Sequence, residues 1–323
     1  MRAILTKAPA RSAIVIAALV AFAFHSANGQ GSASKASAGA RSGGSTNADD
    51  ATRNGAADVA KTLKTAAEAL GLARWSGVGG QHLPEVDIVS TMEIWGTGTT
   101  WGRGEAYKTG QPWPAFKTEY HAALGYNPAA FRLEMTRTAV DAPAPGGGAP
   151  QHTIQTVREA FAWDESEIGA GLIAGKGTAT PMMDAVKYRS LQLWVLPYGV
   201  IKAALAAGDK TKLSTENGAT TISFPLSGTL AGVMLKATLD GQNMIAKVET
   251  QADSAALSDL NTETVYSEYA DHGEIATDVK SPGHIVRKQN GHPLLDLQVK
   301  MVDANNPYLV FPVPENVKKA EAR

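Results

Sequence analysis

The sequence predicts an α+β fold: one large curved antiparallel β-sheet, half-barrel-like, with helices packed on its concave face. Three observations predict it. Runs rich in Thr, Val, Ile and aromatic residues, punctuated by Gly, dominate the chain from Asp87 onward. Three turn dipeptides, Asn217-Gly218, Asp240-Gly241 and Asn290-Gly291, each lie between such runs, and these pairs tolerate the positive backbone angles of two-residue hairpin turns. Two stretches, 56–72 and 184–207, carry apolar residues at helical spacing.

The chain opens with a basic start (Arg2, Lys7, Arg11), an apolar run from Ala13 to Phe24 and the small-residue end Ala27-Asn28-Gly29. That order predicts a secretory signal peptide cleaved after Gly29, and the run is shorter than the roughly 20 apolar residues of a membrane span. Cysteine is absent, which excludes a disulfide, a thiolate nucleophile, a Cys-based zinc site and a lipobox. The expectation is a periplasmic or secreted protein without a transmembrane anchor. Residues 30–55 are mostly Gly, Ser, Ala, Thr and Asn and read as a disordered tether, having nothing large to bury. A single β-rich domain is expected over 56–317, and residues 318–323 form a charged tail.

Within the domain, Val59, Leu63, Ala66, Ala67 and Leu70 define one face of a helix, with Gly71 placed to cap it. Strand texture begins in Ile88–Trp95, returns in Phe131–Thr136, and resumes from His152 to Trp163 after the Pro/Gly-rich APAPGGGAP loop at 142–150. The second helical stretch breaks at Pro197, because proline lacks a backbone donor and clashes with the preceding turn. Tyr188, Leu191 and Val195 share a face before the break; Val200, Ile201, Ala204 and Leu205 follow it, and Gly208 ends the helix.

Hairpin register can be read from the turns. If Leu239 pairs with Gln242, then Val233, Leu235, Ala237 and Leu239 share a dry face with Gln242, Met244, Ala246 and Val248. Lys236, Thr238, Asn243, Lys247 and Glu249 share the wet one. For the Asn290-Gly291 turn, Gln289 pairs with His292, Arg287 with Leu294 and Ile285 with Asp296. His284 then falls on the dry face with Val286, Leu295 and Val299, and His292 on the polar face with Arg287, Asp296 and Gln298. The two imidazoles point to opposite sides about 16 Å apart, too far to share a zinc ion.

Lys plus Arg number 30 against 31 Asp plus Glu, so no field steers nucleic acid to this chain. Gly169–Thr178 fails as a P-loop, with Ala170 and Gly177 at positions that need Gly and Ser or Thr. Gly96-Thr97-Gly98 lacks a third glycine, since Trp101 stands there. Neither a nucleophile elbow nor a zinc-binding histidine cluster occurs. The acidic run Asp164-Glu165-Ser166-Glu167 reads as a solvated loop, and Asp271-His272 is the residual hydrolytic pair. No catalytic residue, metal ligand or cofactor is therefore assigned. Trp95, Trp101, Trp113, Trp194 and Tyr198 are the candidate ligand-lining residues, because aromatic walls with few polar groups suit an apolar ligand.

A family resemblance rests on Trp75-Ser76-Gly77, Gly104-Glu105-Ala106-Tyr107, Pro112-Trp113-Pro114, Leu191-Gln192-Leu193-Trp194 and Pro197-Tyr198-Gly199. It continues through Lys202-Ala203-Ala204, Tyr266-Ser267-Glu268-Tyr269 and Leu294-Leu295-Asp296-Leu297. Together these resemble the N-terminal region of secreted bacterial metallo-β-lactamase-fold hydrolases, from about Ala56 to Val317. In that family a zinc domain with a histidine-rich motif follows this region. This sequence stops at Arg323, so the resemblance assigns none of that domain's ligands here. At the level of fold the pattern also resembles periplasmic lipoprotein carriers, which hold acyl chains inside a curved half-barrel.

Two functional expectations follow. One is a secreted or periplasmic non-catalytic binding module for an apolar small molecule, a lipid or a polypeptide segment. The other is an accessory N-terminal domain that partners a zinc hydrolase domain absent from this chain.

Overall fold

The computed structural model describes residues 46–72, 89–102, 111–140, 148–253, 260–272 and 279–321, with side chains from residue 55 onward. The signal peptide, the tether up to residue 45, Trp75-Ser76-Gly77, Gly104–Tyr107 and most of the 142–150 loop lie outside these residues.

The sheet is built as two antiparallel meanders joined side by side. The first runs β1 (Thr91–Trp101), β2 (Ala115–Tyr126), β3 (Ala129–Ala139), β4 (Gln151–Arg158), β5 (Phe161–Glu165) and β6 (Ala179–Pro181). The second runs β7 (Lys212–Glu216), β8 (Ala219–Pro225), β9 (Val233–Leu239), β10 (Ile245–Ala252), β11 (Thr262–Ser267), β12 (His284–Gln289) and β13 (His292–Ala304). Among the described residues β1 and β13 join them, giving a 13-stranded open sheet with β6 and β7 at its edges. Helix α1 (Thr46–Ala69) precedes the first meander; α2 (Val186–Trp194) and α3 (Pro197–Ala207) connect the two, and α4 (Glu315–Glu321) follows the second.

One face of this sheet curls around α1, α2 and α3. Met92 and Ile94 of β1 stand beside Leu124 and Ala122 of β2 and beside Ala304 and Val302 of β13. They share a single apolar core with Leu63, Ala66 and Leu70 of α1, Leu191 and Leu193 of α2, and Val200, Ile201 and Ala204 of α3. Each large aliphatic side chain buried there contributes about 1.5–3 kcal/mol.

The helix pair is also bonded to both meanders. Arg189 of α2 donates to the carbonyl of Trp163 at 2.8 Å and to Asp164 Oδ1 at 2.6 Å. On the other side Tyr266 Oη donates to the carbonyl of Val195 at 2.7 Å, and Arg287 Nη1 to Gln192 Oε1 at 2.6 Å. These bonds give the buried Arg189, Gln192, Tyr266 and Arg287 polar partners, as a dry interior favours.

The two helices meet at 98°. Leu196 is extended, as the residue before proline prefers, and Pro197 takes the first helical position, where its missing donor costs nothing. A side chain at Gly199 would come within 2.3 Å of the Leu193 carbonyl, so this corner needs glycine.

Two turns form as read. Glu216 pairs with Ala219 and Gln289 with His292, with positive φ at Asn217, Gly218, Asn290 and Gly291. The Asp240 turn does not. Asp240 Oδ1 accepts from the backbone N–H groups of Gln242 and Met244, which stretches the connection until Leu239 pairs with Ile245. An irregularity between Ile245 and Lys247 then restores the dry face, so Val248 stays buried but opposes Ala237 in place of Val233, while Gln242 is exposed.

The last hairpin is corrected more deeply. A bulge between Arg287 and Lys288 makes Arg287 oppose Leu295, and Ile285 oppose Leu297. Arg287 therefore turns inward, where Gln192 and Thr264 receive it. His284 turns outward to Asp296 at 2.7 Å.

Other departures are local. Helix α1 starts at Thr46, inside the stretch read as tether. Leu205 is exposed. Asp164 and Glu165 end β5 instead of lying in a solvated loop; Glu165 is buried and accepts from Thr156 Oγ1, Trp163 Nε1 and the Gly169 N–H. Residues 318–321 of the charged tail belong to α4.

After β13 the chain crosses the outer face of the first meander. Asn306 Nδ2 donates to Glu93 Oε2 at 2.8 Å, Phe311 packs on Ala123 and Ala130, and Asn316 Nδ2 donates to the Ala179 carbonyl at 2.7 Å. Val317 closes over Trp163 and Ala179.

Candidate functional site

At the end of the sheet where β2, β4 and β8 finish, α2 and α3 stand away from the strands and leave a cavity of about 700 Å³. This lies within the range of roughly 300–1,000 Å³ typical of small-molecule sites. Small side chains create the space. Ala203 and Ala206 of α3 face it, as do Ala129 and Ala160 from the turns opposite. The connection Pro225–Leu230 between β8 and β9 forms the remaining wall.

The apolar lining has an aromatic end. The rings of Tyr126 and Trp194 are tilted at 54° with centroids 6.0 Å apart. Lys202 Nζ sits 4.9 Å from the centroid of the Tyr126 ring, on its electron-rich face. Burial pushes the Lys202 ammonium down to about 8 and the Tyr126 hydroxyl well above its ordinary value, because both charged forms lose water there. Glu159 and Lys210 stand at the exposed margin. Among the described lining residues there is no histidine, so the hydroxyls of Ser190, Ser227 and Thr229 have no imidazole base within the cavity.

The five aromatic residues singled out in the sequence are not gathered in one place. Trp194 lines the cavity. Tyr198 is fully buried in the core, its hydroxyl 2.7 Å from Ser281 Oγ. Trp95 lies on the outer face of the sheet, stacked on His121 at 4.6 Å, and Trp101 ends the same strand on that side. Trp113 stacks on His292 at 4.7 Å. Sequence reasoning missed Tyr126 and Lys202. The available signal was a lysine among alanines on an apolar helix, Lys202-Ala203-Ala204-Leu205-Ala206, whose small side chains cannot fill the space beside them.

A second polar cluster lies on the outer face. Glu93, His121, Glu134 and His152 form a ladder across β1 to β4, with contacts of 3.0, 3.5 and 2.9 Å in that order. Partial burial raises the Glu134 pKa, and hydrogen bonds from His152 and His121 outweigh it, leaving the carboxyl below its ordinary value. Among the described residues no group of three or more His, Asp or Glu is arranged to hold a metal ion. His272 Nε2 contacts the Ser281 carbonyl at 3.1 Å, a structural bond.

Comparison with protein-family models, curated proteins and solved structures gave no match to this chain.

Proposed function

We propose that this protein is a secreted or periplasmic binding module, non-catalytic, whose cavity holds an apolar ligand. The observation that carries the reading is the cavity itself: about 700 Å³ walled by alanines, Leu193, Val157, Tyr126 and Trp194. A dry core is normally packed to near-crystalline density. A void of this size, reached from the surface, apolar along α3 and polar at its margin, suits a ligand better than it suits structural stability.

The test is occupancy. A fluorescent fatty-acid probe should bind the full chain saturably, and Ala203→Trp, which fills the cavity from α3, should abolish binding while the melting transition persists. Organic extraction of the full chain purified from cells should release a lipid detectable by mass spectrometry. No saturable binding and no extracted lipid would sink the reading.

A further inference from the structure

The two edges of the sheet are finished differently. At β6 the strand ends in Pro181, Val317 of α4 packs on Ala179, and Asn316 Nδ2 donates to the Ala179 carbonyl at 2.7 Å. Such devices keep an edge from pairing with another chain. Among the described residues no strand lies beyond β7, and its Lys212, Ser214, Thr215 and Glu216 are exposed.

The hairpin fixes what this edge presents. Glu216 and Ala219 flank the two-residue Asn217-Gly218 turn, so they exchange both main-chain bonds, as do Ser214 with Thr221 and Lys212 with Ser223. The N–H and C=O groups of Leu213 and Thr215 therefore point away from β8, into the open edge. Side chains alternate across the strand. Lys212, Ser214 and Glu216 share the wet face, where Glu216 meets Lys236 at 2.6 Å, while Leu213 leans on the apolar core.

A lysine on an edge strand normally discourages pairing. Here opposite charges stand at the two ends, so Lys212-Leu213-Ser214-Thr215-Glu216 is complementary to itself when reversed. We propose that β7 is a homodimer edge, pairing antiparallel with the same strand of a second copy of this chain about a two-fold axis at Ser214. In that register Leu213 exchanges main-chain bonds with Thr215 of the partner subunit, and Thr215 with the partner subunit's Leu213. Lys212 stands opposite the partner subunit's Glu216 on the wet face, and Glu216 opposite the partner subunit's Lys212. In-register parallel pairing would set like charges side by side. A five-residue edge falls short of the roughly 1,200 Å² of a stable complex, so the dimer is weak, with a Kd on the order of 100 μM.

Sedimentation equilibrium of the full chain from about 10 μM to about 1 mM reads the pairing. The unaltered protein should pass from monomer to dimer over that range. Lys212→Glu and Glu216→Lys should each weaken self-association about tenfold, since either reversal turns both charge pairs repulsive. Mixed, the two variants should pair with each other as the unaltered chains do, because each offers the charge that the other lacks. Thr215→Pro removes an outward donor without touching the bonds to β8; it should abolish association while the melting transition stays in place.

A monomer throughout the range, a dimer that persists in Thr215→Pro, or a mixture of the two reversals that pairs no better than either alone would overturn the proposal. The binding of an apolar ligand stands or falls separately, since β7 lines no part of the cavity.

Discussion

The two meanders treat their outer faces differently. In the second, burial alternates along the strands: Val233, Leu235, Ala237 and Leu239 are buried, while the residues between them reach solvent. Lys236 there bridges Glu216 at 2.6 Å and Glu249 at 3.6 Å in open water. In the first meander the alternation fails. Ala122, Ala123 and Leu124 are all buried, as are the neighbours Ala130 and Phe131, and Ala162 and Trp163. The returning C-terminal segment covers those outward residues with Phe311 and Val317. A sheet with one wet face shows its period in the sequence; a sheet buried on both faces does not.

Four perturbations separate the halves, from the largest expected effect to the smallest. Trp163→Ala empties a fully buried site between β5 and α4, and it also removes one of the donors to Glu165. It should cost about 3–5 kcal/mol in urea unfolding.

Phe311→Ala loosens the covering segment without opening the main core, so a smaller loss of about 2 kcal/mol is expected. Its effect should be regional. Amide hydrogen exchange should quicken in β2 and β3 and stay unchanged in β8 to β10; a uniform increase would mean that the two faces are not independent.

Lys236→Ala, on the uncovered half, should cost less than about 1 kcal/mol, and the loss should shrink in high salt, since exposed ion pairs are weak and screened. A thermal melt in low and high salt reads this directly.

The smallest effect concerns acid. Glu134 has a lowered native pKa, so it holds its proton less firmly folded than unfolded. It therefore stabilises the fold above its ordinary 4.5, and that contribution drains away as pH falls through the lower native value. His152→Ala removes one of the bonds that lower it, and acid unfolding followed by circular dichroism should begin at slightly higher pH. A midpoint unchanged or moved to lower pH would count against the ladder.

Much of the architecture was legible. The strand-rich texture, the helices at 56–72 and 184–207 and the break at Pro197 all correspond to elements of the fold. The cavity was legible only in one residue, Trp194. Its other walls come from turns at Tyr126–Ala130 and Glu159–Ala160 and from the Pro225–Leu230 connection, segments far apart in the chain whose approach no local pattern records. Aromatic residues were a poor guide because Trp95 and Trp113 found histidines to stack on instead.

The sequence by itself determined what neighbouring residues decide. Asn217-Gly218 and Asn290-Gly291 can adopt the positive φ angles of tight turns, and a proline ends one helix and opens the next, wherever the chain is placed. Tertiary structure decided which way the last hairpin faces. Arg287 reads as an outward residue by polarity, yet Gln192 and Thr264 meet it inside and a bulge at Lys288 lets it turn. The same holds for the covered outer face and the cavity beneath α3: each depends on a partner distant in sequence, and burial is a property of the pair.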